Sequence, residues 1–514
     1  MSQFLIGRWV RRLFTRRTPP PPARPSFRPT LERLEDRLTP SVAFAPQQTF
    51  DTNRFAYRIL TADFNGDGRP DLAVYDDQGD VEILLNTTVP GAKAPSFAAP
   101  QTFAAVGGGT GSMAVGDFNG DGRPDLAVVS SSGGPVAVLL NTTTTGASVL
   151  SFAAPVNLGV GNNVTSLAVG DFNGDGRPDL VTVDDGDATV SVLLNTTAAG
   201  ATVPSFAPRT TFAAGRGPVF VAVGDFNGDG RPDLAVTVSG GVLVLLDTTA
   251  AGAAIPQFAA QTTLAIGDSP ELVAVGDFNG DGKPDLVTSN DDGTVSVLLN
   301  TTAAGDGTSS FGAQQTFNAG GLGFVAVADL NDDGRPDIVV ANLNDGGTGS
   351  VSVLLNTTTA GASAPQFAPQ QTFSADAGFV AVGDFNGDGQ VDLDVSNEPV
   401  FGQASYTLSV LTNITAPTPL VVADFRGKGV YEYDPLTSAW TALNPGGPDS
   451  TLLAADPAGD VSAISVRASS STRRAPAPVF GTVSTPAALT PRCSAWAPTA
   501  ISSPTSPATA STNT

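Results

Sequence analysis

The chain has 514 residues, a formal net charge of −23, no histidine and a single cysteine, Cys493. Without histidine it lacks the usual general base, the triads built on it and the commonest transition-metal ligand, and one cysteine excludes intrachain disulfides, structural zinc and iron–sulfur sites. With 57 glycines, 40 prolines and only 15% charged residues, the composition indicates many short strands joined by tight turns, an all-β chain.

Residues 1–43 are basic and then proline-rich, with nine arginines against three acids up to residue 41. Their apolar stretches are too short, and too broken by arginine, for a transmembrane helix or an ordinary secretory core. The run Leu31-Glu32-Arg33-Leu34-Glu35-Asp36-Arg37-Leu38-Thr39-Pro40-Ser41 resembles an N-terminal signature of large repeat-bearing surface proteins of environmental bacteria. That resemblance implies an export-associated element, so residues 1–43 are expected to be an export or anchoring segment and the protein extracytoplasmic, secreted or on the cell surface.

From residue 44 to residue 415 the chain is periodic. A nine-residue loop, first Asp63-Phe64-Asn65-Gly66-Asp67-Gly68-Arg69-Pro70-Asp71, returns at Asp117, Asp171, Asp225, Asp277, Asp329 and Asp384. Each period reads as four strands. An apolar run such as Val219-Phe220-Val221-Ala222-Val223 enters the loop, and a second such as Leu234-Ala235-Val236-Thr237-Val238 leaves it. A third follows an Asp/Gly turn, as in Thr294-Val295-Ser296-Val297-Leu298-Leu299. After a connector that usually begins Asn-Thr-Thr comes a more polar fourth, such as Phe206-Ala207-Pro208-Arg209-Thr210-Thr211-Phe212. Four short strands per period of about 40–55 residues is the signature of a propeller blade.

The heptapeptide Phe44-Ala45-Pro46-Gln47-Gln48-Thr49-Phe50 recurs unchanged at residues 367–373, where it is a fourth strand, whereas the seventh period stops at its third, Leu408-Ser409-Val410-Leu411. The N-terminal strand is therefore expected to complete the last blade and close a seven-bladed β-propeller of four-stranded blades. Residues 419–466 are read as a small β appendage, with a degenerate loop at Asp424-Phe425-Arg426-Gly427-Lys428-Gly429 and one kelch-like strand pair. Residues 467–514, rich in Ser, Thr, Ala and Pro with four arginines and no acid, are expected to be disordered.

Oxygen side chains at alternate positions, followed by a glycine-permitted turn, suit a hard cation such as Ca2+. The expected ligands in the first copy are Asp63, Asn65, Asp67 and Asp71, with the backbone carbonyl of Arg69. The corresponding sets are Asp117, Asn119, Asp121, Arg123 and Asp125, then Asp171, Asn173, Asp175, Arg177 and Asp179, then Asp225, Asn227, Asp229, Arg231 and Asp233. They continue with Asp277, Asn279, Asp281, Lys283 and Asp285, then Asp329, Asn331, Asp333, Arg335 and Asp337, and last Asp384, Asn386, Asp388, Gln390 and Asp392. Up to seven calcium ions are thus expected. Position twelve is Val74 rather than glutamate and strands flank the loop, which disfavours an EF-hand. Basic residues are concentrated at the two ends, so the body between them is strongly acidic and lacks the basic stripe that nucleic acid requires.

These loops resemble FG-GAP (VCBS-type) repeats, related to the blades of the integrin α-subunit propeller. The resemblance implies calcium held between the first and second strands of each blade. The Phe-Gly and Gly-Ala-Pro ends of the classical repeat are missing and no Arg-Gly-Asp occurs, so an integrin-like ligand surface is not implied. The expected function is a non-enzymatic surface for adhesion, or for an extracellular protein or polysaccharide ligand, carried on the variable connectors. The alternative is a lyase-like enzyme acting on polysaccharides, as FG-GAP-like propellers also occur in such lyases. Its candidate groups are Arg54, Tyr57, Arg58, Tyr75 and Lys93 around blade one, Glu271 in blade five, and Glu398 and Tyr406 in blade seven.

Overall fold

The computed structural model describes residues 41–415, apart from 109–110, 261, 267–268, 344–348, 376 and 398–405, and five strands between Leu420 and Ser465. The expected N-terminal segment up to residue 40 and the tail from 467 to 514 lie outside the described residues.

Each period folds into a four-stranded antiparallel sheet, so the fold is a seven-bladed β-propeller. Numbering the blades by their loops, blade one consists of Ala56–Ala62 innermost, then Asp71–Asp76, Asp80–Leu84 and Gln101–Ala104. Blade seven takes three strands from the end of the region, Ala377–Gly383, Asp392–Asn397 and Tyr406–Leu411, and its fourth, Gln48–Thr52, from the beginning. Phe50 stands opposite Leu408 and Gln48 opposite Val410. The ring therefore closes as the repeated heptapeptide predicts. The fourth strands are shorter than the sequence suggests, however. In blade three the strand is Thr210–Ala213, while Phe206 makes only an isolated bridge to Asn195. Phe44 bridges Asn413 in the same manner.

Blade-to-blade packing explains the strand sequences. The second strand of blade one is buried along its whole length, and the third almost so, hence their continuous apolar runs. The fourth strand alternates between exposed and half-buried residues, as an outer edge should. Seven apolar clusters lie between successive blades. Blades one and two share Ala73, Val81 and Ile83 with Met113, Leu126 and Val128. The seam between blades seven and one joins Ala381, Leu408 and Val410 to Ile59, Leu72 and Val74. Each fully buried Val or Leu contributes about 1.5–3 kcal/mol, so seven equivalent interfaces amount to one continuous core bent into a ring. The five C-terminal strands form a separate antiparallel sheet in which Tyr433 pairs with Trp440.

One position breaks this packing. Leu393 and Val395 face blade six, so Asp394 between them faces blade one, beside Ala381 and Val410. Asp394 is fully buried, neither carboxyl oxygen has a hydrogen-bond partner, and desolvation pushes its pKa well above the ordinary value. The matching residues in blades one, two and four are Ala73, Ala127 and Ala235. A buried carboxyl without a partner is destabilising. Asp394→Ala should therefore raise the melting temperature at pH 7, by an increment equivalent to about 1–3 kcal/mol, as read by calorimetry of the two proteins side by side.

Candidate metal centres on the loop face

The loop leaves the inner strand after Ala62 and rejoins the sheet at Asp71. Gly66 and Gly68 take φ of 68° and 86°, left-handed values that glycine adopts without strain. In blade six the first of these glycines is replaced by Asp332, held at φ 54°.

Side chains at positions one, three and five turn onto the loop's own amides. Asp63 accepts hydrogen bonds from the N–H groups of Asp67 (3.0 Å) and Gly68 (2.7 Å). Asn65 Oδ1 also accepts from Asp67 N–H (3.1 Å), and Asp67 accepts from Arg69 N–H (3.1 Å). All four bonds recur in the other six loops, those of Asp117, Asp171 and Asp225 and those of Asp277, Asp329 and Asp384.

Position nine is fully buried. Asp71 accepts from Phe64 N–H (2.9 Å) on one oxygen and from Asn86 N–H (2.7 Å) on the other. Asp125, Asp179, Asp233, Asp285, Asp337 and Asp392 do the same. Burial pushes Asp71, Asp125, Asp179, Asp233, Asp285 and Asp392 up to about 7, although the two amide bonds pull the other way.

Position seven acts through its side chain, which the sequence reading did not foresee. The Arg69 guanidinium lies against the Asp67 carboxylate, and its Nε donates to the Asn86 carbonyl (2.8 Å). Arg123, Arg177, Arg231 and Arg335 repeat both contacts. In blade seven Gln390 reaches the Thr415 carbonyl instead (2.7 Å).

The Asn-Thr-Thr connectors are the second feature that sequence reasoning missed. Asn86 Nδ2 donates to Pro70 O (3.0 Å) within its blade and to Phe385 O (3.0 Å) across the blade boundary. Asn141, Asn195, Asn300, Asn356 and Asn413 reach Phe64, Phe118, Phe226, Phe278 and Leu330 in the same way. Each connector then covers the preceding blade's loop: Gly146 N–H donates to Asn65 O (2.6 Å). These segments serve as framework, and their tips are exposed at Val89, Val149, Val203 and Ile255. Asn-X-Thr is also a glycosylation acceptor pattern, but these asparagine side chains are buried and engaged. Blade four carries Asp247 here. Its Oδ1 accepts from Thr249 N–H (2.7 Å), its Oδ2 is buried without a partner, and burial pushes it up to about 6.

Three carboxylates, a carboxamide and a peptide carbonyl per loop make an all-oxygen donor set, the kind a hard cation takes. Among the described residues no three acidic side chains converge as a closed cage; position nine is committed to amides and position five to arginine. Asp67 Oδ2 takes both the Asn65 carboxamide and the Arg69 guanidinium. Asp63 Oδ1 and Oδ2 and Asp67 Oδ1, however, each keep a lone pair beyond one amide bond, so the donor chemistry fits.

The enzyme candidates are scattered. Arg54 lies 3.8 Å from Asp76, Tyr75 is buried between blades one and two, and Lys93 is exposed on a connector. Glu271 stands beside Asp291 in blade five, its pKa raised by burial. Tyr57 and Tyr406 flank Phe55 at 4.9 and 6.5 Å between ring centroids, and Glu398 lies outside the described residues. A groove of about 440 Å³ opens between blades three and four, lined by Gly215, Arg216, Ser239 and Thr263.

Blade one also hides a pair of carboxyls that the sequence reading passed over. Asp76 and Glu82 are fully buried, and Asp76 Oδ2 and Glu82 Oε1 have no hydrogen-bond partner. At the same two positions Asn290 donates to Ser296 (2.8 Å), Asn342 to Ser352 (2.8 Å) and Asn397 to Ser409 (2.9 Å), and Ser191 donates to Asp184. Desolvation raises both Asp76 and Glu82.

The profile of the FG-GAP-like repeat matches residues 63–128, 117–182, 171–236, 277–340 and 329–393, more than half of the chain and all seven loops. No curated protein matches the chain. Similar solved structures include BBS1N in complex with ARL6DN, soaked with mercury, at 12% identity, TM-score 0.45, covering 73% of this chain and 98% of that one. A lectin of Agrocybe aegerita that recognises non-reducing terminal N-acetylglucosamine gives 19% identity, TM-score 0.40 and 64% and 82% coverage. Saccharomyces cerevisiae Sqt1 gives 10%, 0.40, and 82% and 98%. At these scores none of the three carries an argument about function.

Two substitutions test the buried acids. Asp247→Asn restores the donor that six blades possess and should raise the melting temperature, by the equivalent of about 1–3 kcal/mol. Glu82→Ser places a hydroxyl donor beside Asp76. Asp76 and Glu82 have folded pKa values raised above their unfolded ones. Their contribution is therefore intact below the ordinary carboxyl pKa and is lost as pH rises through the folded value. The gain from Glu82→Ser should thus be largest at pH 7–8 and shrink towards pH 4 in paired thermal melts; a gain independent of pH would refute the assignment.

Proposed function

This chain belongs to the FG-GAP-like repeat family, and from that premise we propose that it is a calcium-stabilised, non-enzymatic binding module that works outside the cytoplasm. The observation that carries the reading is the sevenfold recurrence of one oxygen donor set with one internal hydrogen-bond pattern. In six loops the basic residue at position seven offsets one of the three ligand aspartates, leaving two net negative charges for the cation, apart from the additional Asp332 in blade six. Ca2+ accepts six to eight oxygens in flexible geometry, and extracellular modules bind it at about 10⁻⁴–10⁻³ M.

Positions one, three and five, with the position-seven carbonyl and the position-nine carboxylate, would hold the ion. Its contribution there would be charge neutralisation and cross-linking of the loop to the start of the second strand. The chain's own residues do the rest. Glycine reverses the backbone, arginine carries one carboxylate, and the neighbouring connector covers the loop. The ring so fastened would present its surfaces for adhesion or for a protein or polysaccharide ligand, on a secreted or surface-attached chain. A lyase-like enzyme has less support, because Glu271 sits beside Asp291 in blade five, apart from Arg54 and Tyr406 at the seam of blades one and seven.

An ion that binds only the folded state stabilises it by about 2.7 kcal/mol per site at one hundred times its Kd. Melting in EDTA should fall well below melting in millimolar calcium, and calcium added back should restore it, with magnesium less effective. A melt indifferent to chelator would sink the structural role.

A further inference from the structure

At the end of the axial channel away from the aspartate loops, one cation stands without a counter-ion among the described residues. Arg58 lies near the start of the inner strand of blade one, Ala56–Ala62. The residues five before the first loop aspartate in blades four, six and seven are Phe220, Phe324 and Phe379. The Arg58 guanidinium carbon is 5.3, 4.7 and 5.2 Å from the centroids of these three rings, and the rings of Phe324 and Phe379 are themselves 3.7 Å apart. Blade four lies across the ring from blade one, so the side chain spans the axis. In blades two and three the same position is Ser112 and Ser166, whose hydroxyls accept the N–H groups of Leu167 and Val221.

The guanidinium has five N–H donors, and among the described residues only Nε is bonded, to Gly111 O at 3.4 Å. Among the described residues it makes no ion pair, although the chain carries 49 acidic residues. Desolvation lowers its pKa to about 10, the mark of a charge removed from water without an anion beside it. The residue as a whole is half-buried rather than sealed from solvent. Cation–π contact occupies the flat faces of a guanidinium, whereas its in-plane N–H fork is what pairs with a carboxylate.

We propose that this end of the channel binds a single carboxylate carried on a ring with an apolar face, the chemistry of a terminal uronic acid, with Arg58 as anchor and Phe220, Phe324 and Phe379 as walls. One guanidinium matches one negative charge. A long polyanion would be repelled by a chain of net charge −23, and an axial position admits a chain end rather than a chain middle. The proposal rests on the binding-module reading but not on calcium, so the chelator melt and the titration below fail independently.

The test is calorimetric titration of the full chain in saturating calcium with D-glucuronate, D-glucose, acetate and a short glutamate-rich peptide. Glucuronate should bind at least tenfold more tightly than the other three, and Arg58→Gln should weaken it at least tenfold. No glucuronate binding at millimolar concentration, unchanged binding in a folded Arg58→Gln protein, or tighter binding of the peptide would each overturn the proposal. Should Arg58→Gln not fold, wild-type protein is labelled with phenylglyoxal and the Arg58 peptide followed by mass spectrometry. Glucuronate should protect that arginine from labelling, and failure to protect it would overturn the proposal equally.

Discussion

The ring depends on a carboxylate that is fully buried and bonded on both oxygens by backbone amides. Asp71 takes the N–H of Phe64, at the start of its loop, and that of Asn86, at the end of the third strand. Removing a charge from water is costly unless such bonds replace the solvent. The bonds fix where the loop begins and where the third strand stops. They also place Asn86 so that its side chain reaches the carbonyl of Phe385 in the neighbouring blade. Conversely, the carbonyl of Phe64 is taken by Asn141. In six of the seven loops the peptide groups on either side of the position-two residue are thus held from two blades at once, and its side chain is buried in the interface. Phe172 is the exception, because Asp247 replaces the asparagine. Loop closure and blade docking are one event.

This arrangement explains why the loops recur so closely while other segments vary. Strand pairing alone leaves blades free to slide, since apolar clusters are non-directional. The aspartate–asparagine relay supplies direction, with bonds of fixed length repeated around the ring. The connectors add a second tie, as when Gly200 N–H reaches Asn119 O at 2.6 Å. A cation bound in the loop would act on the same nodes, so its effect would fall on cohesion between blades rather than on a single turn.

The number of blades, the strand order and the closing strand were legible because repetition carries them: Phe44-Ala45-Pro46 could be matched to Phe367-Ala368-Pro369 without knowing any contact. Strand limits at the outer edge were not. Phe206 belongs to an alternating pattern that suits a strand, yet its ring lies 5.9 Å from that of Phe118 in the preceding blade, and only the residues from Thr210 onward pair with the third strand. A pattern of alternation does not distinguish an isolated bridge from a ladder. The asparagines were invisible for a different reason. The carbonyl that Asn195 binds is 77 residues away, and an Asn-Thr-Thr run reads equally well as a turn. The arginines at position seven were read for their backbone alone, because ligand patterns count oxygens and pass over neighbouring cations.

A ring of near-identical blades has no address of its own. Seven equivalent loops offer a ligand seven equivalent places, so any unique function must come from residues that break the repeat. Most departures on the loop face are conservative: Lys283 replaces an arginine and Leu330 a phenylalanine. Among the described residues, blade one and its seam with blade seven hold several of the unmatched polar groups. Asp394 faces that seam without a partner, and Thr61 Oγ1 on the blade-one side is likewise unbonded. Glu82 stands where other blades place a donor, and Arg58 occupies the axis where three other blades place a phenylalanine. Three of these four groups lower stability as they stand, since each is a buried polar atom without its bond. Arg58 differs in kind. Its guanidinium lies over three aromatic rings, and the same desolvation that costs folding energy would strengthen its attraction for an incoming anion.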